Sequence, residues 1–212
     1  MITEIFLVFI FSYLSGSIPF GLILTKLFLK KDIRKIGSKN IGTTNVLRTG
    51  NKFLAAATLM FDILKGYVPV VITVQYFSGL IELSCLATFL GHIFPIWLKF
   101  RGGKGVATYL GVLFALSLQL SLLFMFTWLA ISLIFRYSSL SSMFASLTVF
   151  VVQSIREIVN PILLKMPEQT LYSNTVGINT TFLLFIFFIL IIFTHRKNIS
   201  NLKNKSEQKI KL

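Results

Sequence analysis

Three glycines and three cations fall within the seven residues Lys99-Phe100-Arg101-Gly102-Gly103-Lys104-Gly105. Glycine lets backbone N–H groups turn inward and approach a ligand closely, and Lys and Arg put positive charge beside them. That is the chemistry of an anion cradle. It closes the apolar stretch Gly91-His92-Ile93-Phe94-Pro95-Ile96-Trp97-Leu98 and is followed by another apolar run. The same residues would also serve as a tight cytoplasmic turn between two membrane helices, with cations that only set topology.

Three further clusters offer comparable chemistry. Gly37-Ser38-Lys39-Asn40-Ile41-Gly42-Thr43-Thr44-Asn45 sets glycines, hydroxyls and amides in succession, and Arg48 adds a fork suited to phosphate. Serines run from Ser139 to Ser142 beside Arg136, and His195-Arg196-Lys197-Asn198 follows the last apolar segment. His195 and Asn198 are three apart, so they share a face if that helix continues. Each cluster has an ordinary explanation as a turn, an interfacial residue or helix packing. Their arrival on one face would argue for a site.

The glycine loop is not a Walker A motif, because Lys104 is followed by Gly105 rather than Ser or Thr. Asp32 and Asp62 are the only carboxylates near these clusters, and a metal-dependent phosphotransferase needs carboxylates to hold its cation. The site implied binds phosphate next to lipid, with no metal and no cofactor.

The elements that must position these groups are membrane helices. Of the 212 residues 55% are hydrophobic and 13% charged, against about a quarter charged in a soluble domain. Several segments approach the ~20 apolar residues that a bilayer crossing needs. The net charge of +14 resides in short loops and in the tail, which points to topology and anionic lipids or substrates rather than to nucleic acid. The lone Cys85 lies in an apolar run and reads as a packing residue. The N-terminus has no basic region and no small-residue cleavage site, so its apolar segment is expected to remain as a helix.

The first apolar segment covers 4–29, interrupted by Ser15-Gly16-Ser17-Ile18-Pro19-Phe20-Gly21, where close packing or a kink is expected. Residues 30–52 carry seven cations against Asp32 alone and belong in the cytoplasm. Apolar segments follow over 53–78 and 80–98. Asp62 and Lys65 lie on one face of the first of these and read as a buried structural ion pair, with a substrate-facing pair as the alternative. Residues 106–135 would span ~45 Å as one helix, too long for one crossing and short for two. Next come Arg136, an apolar run to about Ile155, a polar connection over 156–175 with Pro161 and Pro167, and a last segment over 176–194.

Parity decides the ambiguous stretch. The loops at 30–52 and 99–104 and the tail from about 196 to 212 are strongly basic, so all three should be cytoplasmic. An even number of crossings must then join 104 to 196. Two helices within 106–135, turning near Ser117-Leu118-Gln119-Leu120-Ser121, satisfy this. The prediction is an all-α polytopic membrane protein with seven transmembrane helices, its N-terminus outside and its C-terminus cytoplasmic, forming one domain over residues 1–212.

Together these motifs resemble the bacterial acyl-phosphate:glycerol-3-phosphate acyltransferases, the PlsY family, over nearly the whole chain. The resemblance rests on Ser15 to Gly21, Asp32-Ile33-Arg34, Gly37 to Thr49, Asp62-Ile63-Leu64-Lys65-Gly66, the Gly91–Thr108 stretch, Arg136-Tyr137 with the serines, and His195-Arg196-Lys197-Asn198-Ile199. The family pattern has glycine at Lys39, alanine at Thr43 and glutamate at Lys197.

The resemblance implies a multi-pass enzyme of the bacterial cytoplasmic (inner) membrane. It would move an acyl group from acyl-phosphate to the 1-hydroxyl of glycerol-3-phosphate, giving lysophosphatidic acid and phosphate, the first step of phospholipid synthesis. Family members use neither acyl-CoA nor acyl carrier protein directly, so an enzyme that produces acyl-phosphate is an expected partner. The catalytic set expected is Ser38, Arg48, Lys104, His195 and Asn198. The substrate-binding set is Gly37, Asn40, Gly42, Thr43, Asn45, Gly102, Gly103, Gly105, Ser139 and Ser142. Ser38, Arg48 and Lys104 would hold phosphate, while Ser139 or Ser142 with His195 and Asn198 would orient glycerol-3-phosphate. The hydroxyl proton would go to a substrate phosphate oxygen, with His195 as the rival base.

Two other classes use the same residues. A transporter of anionic metabolites predicts a site near mid-membrane and internal pseudo-symmetry, but the polar clusters concentrate on one side and the halves share no motif. A non-catalytic lipid-binding scaffold accounts for the basic tail and leaves the ordered internal loops unexplained.

Overall fold

The computed structural model describes residues 1–163 and 180–210. Its described elements are helical, and they form two compact units, Met1–Ala115 and Leu116–Leu212. Among the described residues five helices are long and apolar enough to cross a membrane, or six if one bent pair is a single span.

The first unit holds α1 (Ile2–Ser17), α2 (Phe20–Leu29), a short α3 (Thr43–Leu47), α4 (Lys52–Tyr76), α5 (Ile81–Ile93) and α6 (Val106–Leu116). Pro19 has no N–H to continue the ladder and pushes Ile18 into an extended conformation, ψ 117°, so the first span breaks between α1 and α2. The small residues before that break permit close packing. A Cβ on Gly16 would strike the Thr88 backbone, and α1 lies against α5 with Ser12 and Ser84 hydroxyls 2.8 Å apart. Tyr13 Oη donates to Phe94 O (2.6 Å) and Trp97 Nε1 to Ser17 Oγ (2.7 Å), tying the end of α5 to α1. At the loop end Leu22, Ile33, Ile41, Val46, Leu54 and Ala55 form a core, with Leu98 packed against it. Burial of each larger side chain there contributes about 1.5–3 kcal/mol. This core seats the 30–50 loop and the residues leading into the 99–105 loop at one end of the unit.

The second unit holds α7 (Leu118–Phe135), α8 (Ser138–Leu163), α9 (Thr180–Thr194) and α10 (Arg196–Lys203). Residues 106–135 thus form two helices, as parity requires. No glycine or proline makes the break: Ser117 is extended and its Oγ accepts from Leu120 N (3.3 Å), capping α7. Arg136 in a left-handed conformation, φ 61°, ends α7 and turns the chain into α8. Phe150 of α8 packs on Phe185 and Phe188 of α9. On α7 Phe126, Leu133, Ile134 and Phe135 remain exposed, as expected of a lipid-covered face.

One expectation changes. Helix α8 continues to Leu163, well past Ile155, so the polar connection does not begin at 156; Pro167 and the rest of 164–179 lie outside the described residues. The last apolar helix ends at Thr194, where the apolar segment is expected to end, so His195 and Asn198 do not share one straight helix. The chain bends by 56° between α9 and α10. The eight residues Arg196 to Lys203 are mostly polar or charged and cannot extend an apolar span into hydrocarbon.

Candidate functional site

The 37–48 loop is built around one amide. Asn45 is buried, and its Oδ1 accepts from Ser38 N (3.0 Å) while Nδ2 donates to the carbonyls of Ile33 (3.1 Å), Ile36 (3.0 Å) and Asn40 (2.7 Å). Asn40 Oδ1 in turn accepts from Gly42 N (2.9 Å). Sequence reasoning placed Asn45 and Asn40 among the binding residues; the structure turns both amides onto the loop backbone. Two residues pass through left-handed backbone, Gly37 at φ 53° and Lys39 at φ 60°. Lys39 holds the conformation that a glycine would adopt more easily, at a strain of about 1–2 kcal/mol. The Arg48 side chain lies over Gly37, with Cδ 3.0 Å from where a Cβ would stand, so the missing side chain is what admits it.

Ser38 and Arg48 are exposed, and among the described residues neither side chain has a hydrogen-bond or ionic partner. Arg34 differs. Its guanidinium grips Asp32 (Nε–Oδ1 2.9 Å, Nη2–Oδ2 2.6 Å) and holds that carboxyl well below the usual carboxylate range. Thr43 Oγ1 is buried without a hydrogen-bond partner beside Gly42, which caps α3.

The 99–105 loop folds back over the end of α5. Gly102 N donates to Ile93 O (3.0 Å) and Gly103 N to His92 O (3.1 Å). Gly105 takes φ 81°, and a Cβ there would strike the Phe89 ring. Lys104 is half-buried, whereas Lys99 and Arg101 are exposed. That separates the cation at the glycines from the two that face outward. Both loops sit on the core that includes Ile33, Ile41 and Val46, the second through Leu98.

Beneath the glycines lies a buried polar set that the sequence motifs only half revealed. Lys65 Nζ is 2.7 Å from Asp62 Oδ1 and donates to Ile18 O at 2.7 Å, the carbonyl at the break in the first span. The structural ion pair therefore also neutralises the carbonyl end of α1. His92, buried and 4.0 Å from Asp62 through Nδ1, shares a hydrogen bond of 2.9 Å with Thr108 Oγ1. Sequence reasoning missed His92 and Thr108. The available signal was an ionisable residue at membrane depth, which is uncommon without a partner.

In the second unit Ser139 Oγ donates to Glu207 Oε1 (3.1 Å), Asn198 Nδ2 to the same oxygen (2.5 Å) and Asn201 Nδ2 to Oε2 (3.3 Å). Ser139 and Asn198 thus converge on one carboxylate. Ser142 is elsewhere engaged, donating to Ser138 O (2.8 Å) and accepting from Trp128 Nε1 (3.1 Å) between α7 and α8. His195 is buried at the α9–α10 bend with Nδ1 2.8 Å from Ile191 O. A carbonyl only accepts, so Nδ1 carries the proton in the neutral ring and Nε2 is the acceptor. The tail returns to this end of the unit: Ile210 N donates to Arg136 O (2.7 Å) and Lys209 lies over the Tyr137 ring.

A family model described as glycerol-3-phosphate acyltransferase matches residues 6–205. A glycerol-3-phosphate acyltransferase of Pelagibacter ubique is 50% identical over 209 residues, covering 99% of each chain. One of Brucella anthropi is 47% identical over 202 residues, covering 95% of this chain and 90% of its own. The crystal structure of PlsY (YgiH), an integral membrane glycerol 3-phosphate acyltransferase in its glycerol 3-phosphate form, superposes with a TM-score of 0.84 at 35% identity over 98% of this chain and 96% of that one. Its lysophosphatidic acid form gives 0.80 at 35% identity over 97% and 95%.

Proposed function

This chain belongs to the glycerol-3-phosphate acyltransferase family, and on that premise we propose that its acyl donor is acyl-phosphate. The glycerol 1-hydroxyl attacks the acyl carbonyl, the carbonyl carbon–oxygen bond to phosphate breaks, and inorganic phosphate leaves with the bonding electron pair. Lysophosphatidic acid is the other product. A mixed anhydride carries its own good leaving group, so positioning of two anions and neutralisation of developing charge can supply most of the acceleration.

The observation that carries this reading is the 37–48 loop. Its interior is satisfied by Asn45, while Ser38 and Arg48 stand exposed and uncommitted among the described residues, on the same core that seats the Lys104 loop. Ser38, Arg48 and Lys104 hold phosphate, with Gly37, Gly42, Thr43, Gly102, Gly103 and Gly105 shaping the backbone and Asn40 and Asn45 holding it. Ser139, His195 and Asn198 orient glycerol-3-phosphate; the Glu207 carboxylate supports this, since it demonstrates that two of these donors can meet on one anionic oxygen. Ser142 contributes through the α7–α8 contact. The hydroxyl proton goes to a phosphate oxygen. With Nδ1 turned to the Ile191 carbonyl, Nε2 is the acceptor of a neutral His195 ring, which keeps the imidazole base as the second reading. Near-normal turnover of His195→Gln would exclude that second reading.

The chain is read as one acyltransferase domain over residues 1–212, crossing the bacterial inner membrane seven times with its N-terminus outside and its C-terminus in the cytoplasm. The crossings are the five long spans, α9 and the shorter α6. Support for the parity comes from the tail, whose hydrogen bonds to Arg136 and Ser139 bring it to the α7–α8 turn. An enzyme that makes acyl-phosphate supplies the donor. The test is purified full-length protein given acyl-phosphate, glycerol-3-phosphate or both. Phosphate release that requires both substrates is expected. Transfer from acyl-CoA with none from acyl-phosphate would refute the donor, and absence of any transfer would favour an anion transporter.

A further inference from the structure

The Gly102–Gly105 loop needs a fixed shape if it is to present Lys104 to a phosphate, yet glycine is the residue least able to hold a conformation by itself. The hydrogen bonds of Gly102 and Gly103 to the end of α5 anchor only its first half. The imidazole of His92 packs against Gly103 itself. A Cβ on Gly103 would overlap Nε2 and come within 2.9 Å of Cδ2 and 3.0 Å of Cε1, so the loop lies against the ring itself. Nδ1 of that ring is bound at 2.9 Å to Thr108 Oγ1, in the first turn of α6 and four residues beyond Lys104. One buried ring therefore touches the chain on both sides of the lysine. The ring in turn stands beside Asp62, 4.0 Å away, whose other neighbour Lys65 is tied to the break in the first span.

We propose that His92 is a positioning residue for Lys104, a clamp on the glycine loop whose ring is oriented by Thr108 and by the Asp62–Lys65 pair. The proposal rests on the reading of Lys104 as a phosphate ligand. Its physical motive is desolvation. A buried ion pair and a buried histidine are costly in an apolar helix bundle, where well-packed hydrophobic side chains would be as stable or more so. A group of this kind aligned under a ligand loop has a geometric use: displacement of a reacting group by about 1 Å can cost about a hundred-fold in rate. The ring touches no substrate; it acts through the loop.

The experiment compares Thr108→Val, which keeps shape and removes the hydroxyl, with Thr108→Ser, which restores it, in full-length purified protein. The readouts are kcat/KM with both substrates, inhibition by inorganic phosphate, and melting temperature. Thr108→Val is expected to lower kcat/KM about ten-fold and weaken phosphate inhibition about five-fold, the sensitivity expected of a positioned ligand. Thr108→Ser is expected to recover most of both. A purely structural role would lower melting temperature while the folded fraction kept its affinity for phosphate, and that result would overturn the clamp. Lys104→Ala is measured alongside. If it leaves phosphate inhibition and turnover unchanged, the reading of the loop as a phosphate site fails; if it removes both while Thr108→Val behaves as the parent, only the clamp fails. Should Thr108→Val not accumulate, His92→Gln takes its place with the same readouts, and parent-like phosphate inhibition in it would again overturn the proposal.

Discussion

The two units hold their polar groups in opposite ways. In the first, each candidate ligand loop is fastened from inside by a buried side chain, Asn45 under residues 33–45 and His92 under Gly103. In the second, Ser139 and Asn198 are held from outside by a carboxylate near the chain end, Glu207. The difference separates preorganisation from occupancy. An internally fastened loop keeps its shape whether or not an anion is present. Donors satisfied by an exchangeable carboxylate must release it before taking another acceptor. Lost interior anchors should therefore affect stability and catalysis together, whereas loss of Glu207 should affect mainly the apparent affinity for a substrate.

The largest effect is expected from Lys65→Met. It leaves Asp62 buried and uncompensated, and destabilisation of about 3–5 kcal/mol should appear in chemical or thermal unfolding. Asp62→Asn added to it should recover much of that loss, because the stranded charge is then gone. Asn45→Ala should follow. It orphans the amide N–H of Ser38 and the carbonyl of Asn40 and takes a second donor from the carbonyls of Ile33 and Ile36, at roughly 1–3 kcal/mol for each orphaned group that water does not reach, and activity should fall with the loop. An Asn45→Ala protein with parent melting temperature and turnover would remove the distinction between the units.

Glu207→Ala sharpens the comparison from the other side. Release of Ser139 and Asn198 from the competing carboxylate, at a net of about 1 kcal/mol, should lower KM for glycerol-3-phosphate about five-fold. A raised KM would instead make the carboxylate part of the substrate site. The smallest effect is expected from Lys39→Gly, which relieves the left-handed strain at φ 60° and should raise stability by about 1 kcal/mol. A drop in melting temperature would mean that the lysine side chain holds the loop.

Much of this was legible in the residues themselves. Basic loops and parity implied the break within 106–135, although its cause, a serine cap at Ser117, is a weaker signal than glycine or proline. Asp62 and Lys65 announced themselves as opposite charges one helical turn apart in an apolar run. What was not legible depends on contacts between distant residues. His92 reads as an isolated histidine until packing brings Thr108, sixteen positions away, against its ring. Asn45 has the composition of a ligand donor, and only the fold shows that its amide faces inward. Glu207 lies 68 positions from Ser139 in a tail whose composition suggests nothing beyond basic charge. The bend at His195 follows from the polar character of α10, a property of the whole segment rather than of the His-Asn spacing.

In the proposed function, two internally fastened loops present Ser38, Arg48 and Lys104 to phosphate. A crystal structure of the full chain with inorganic phosphate or glycerol-3-phosphate tests this most directly. The predicted result is a phosphate whose oxygens lie about 2.7–3 Å from Lys104 Nζ and from Ser38 or Arg48. Asn45 and His92 should stand where they stand now. A phosphate bound away from both loops, or loops that rearrange completely around it, would contradict the account.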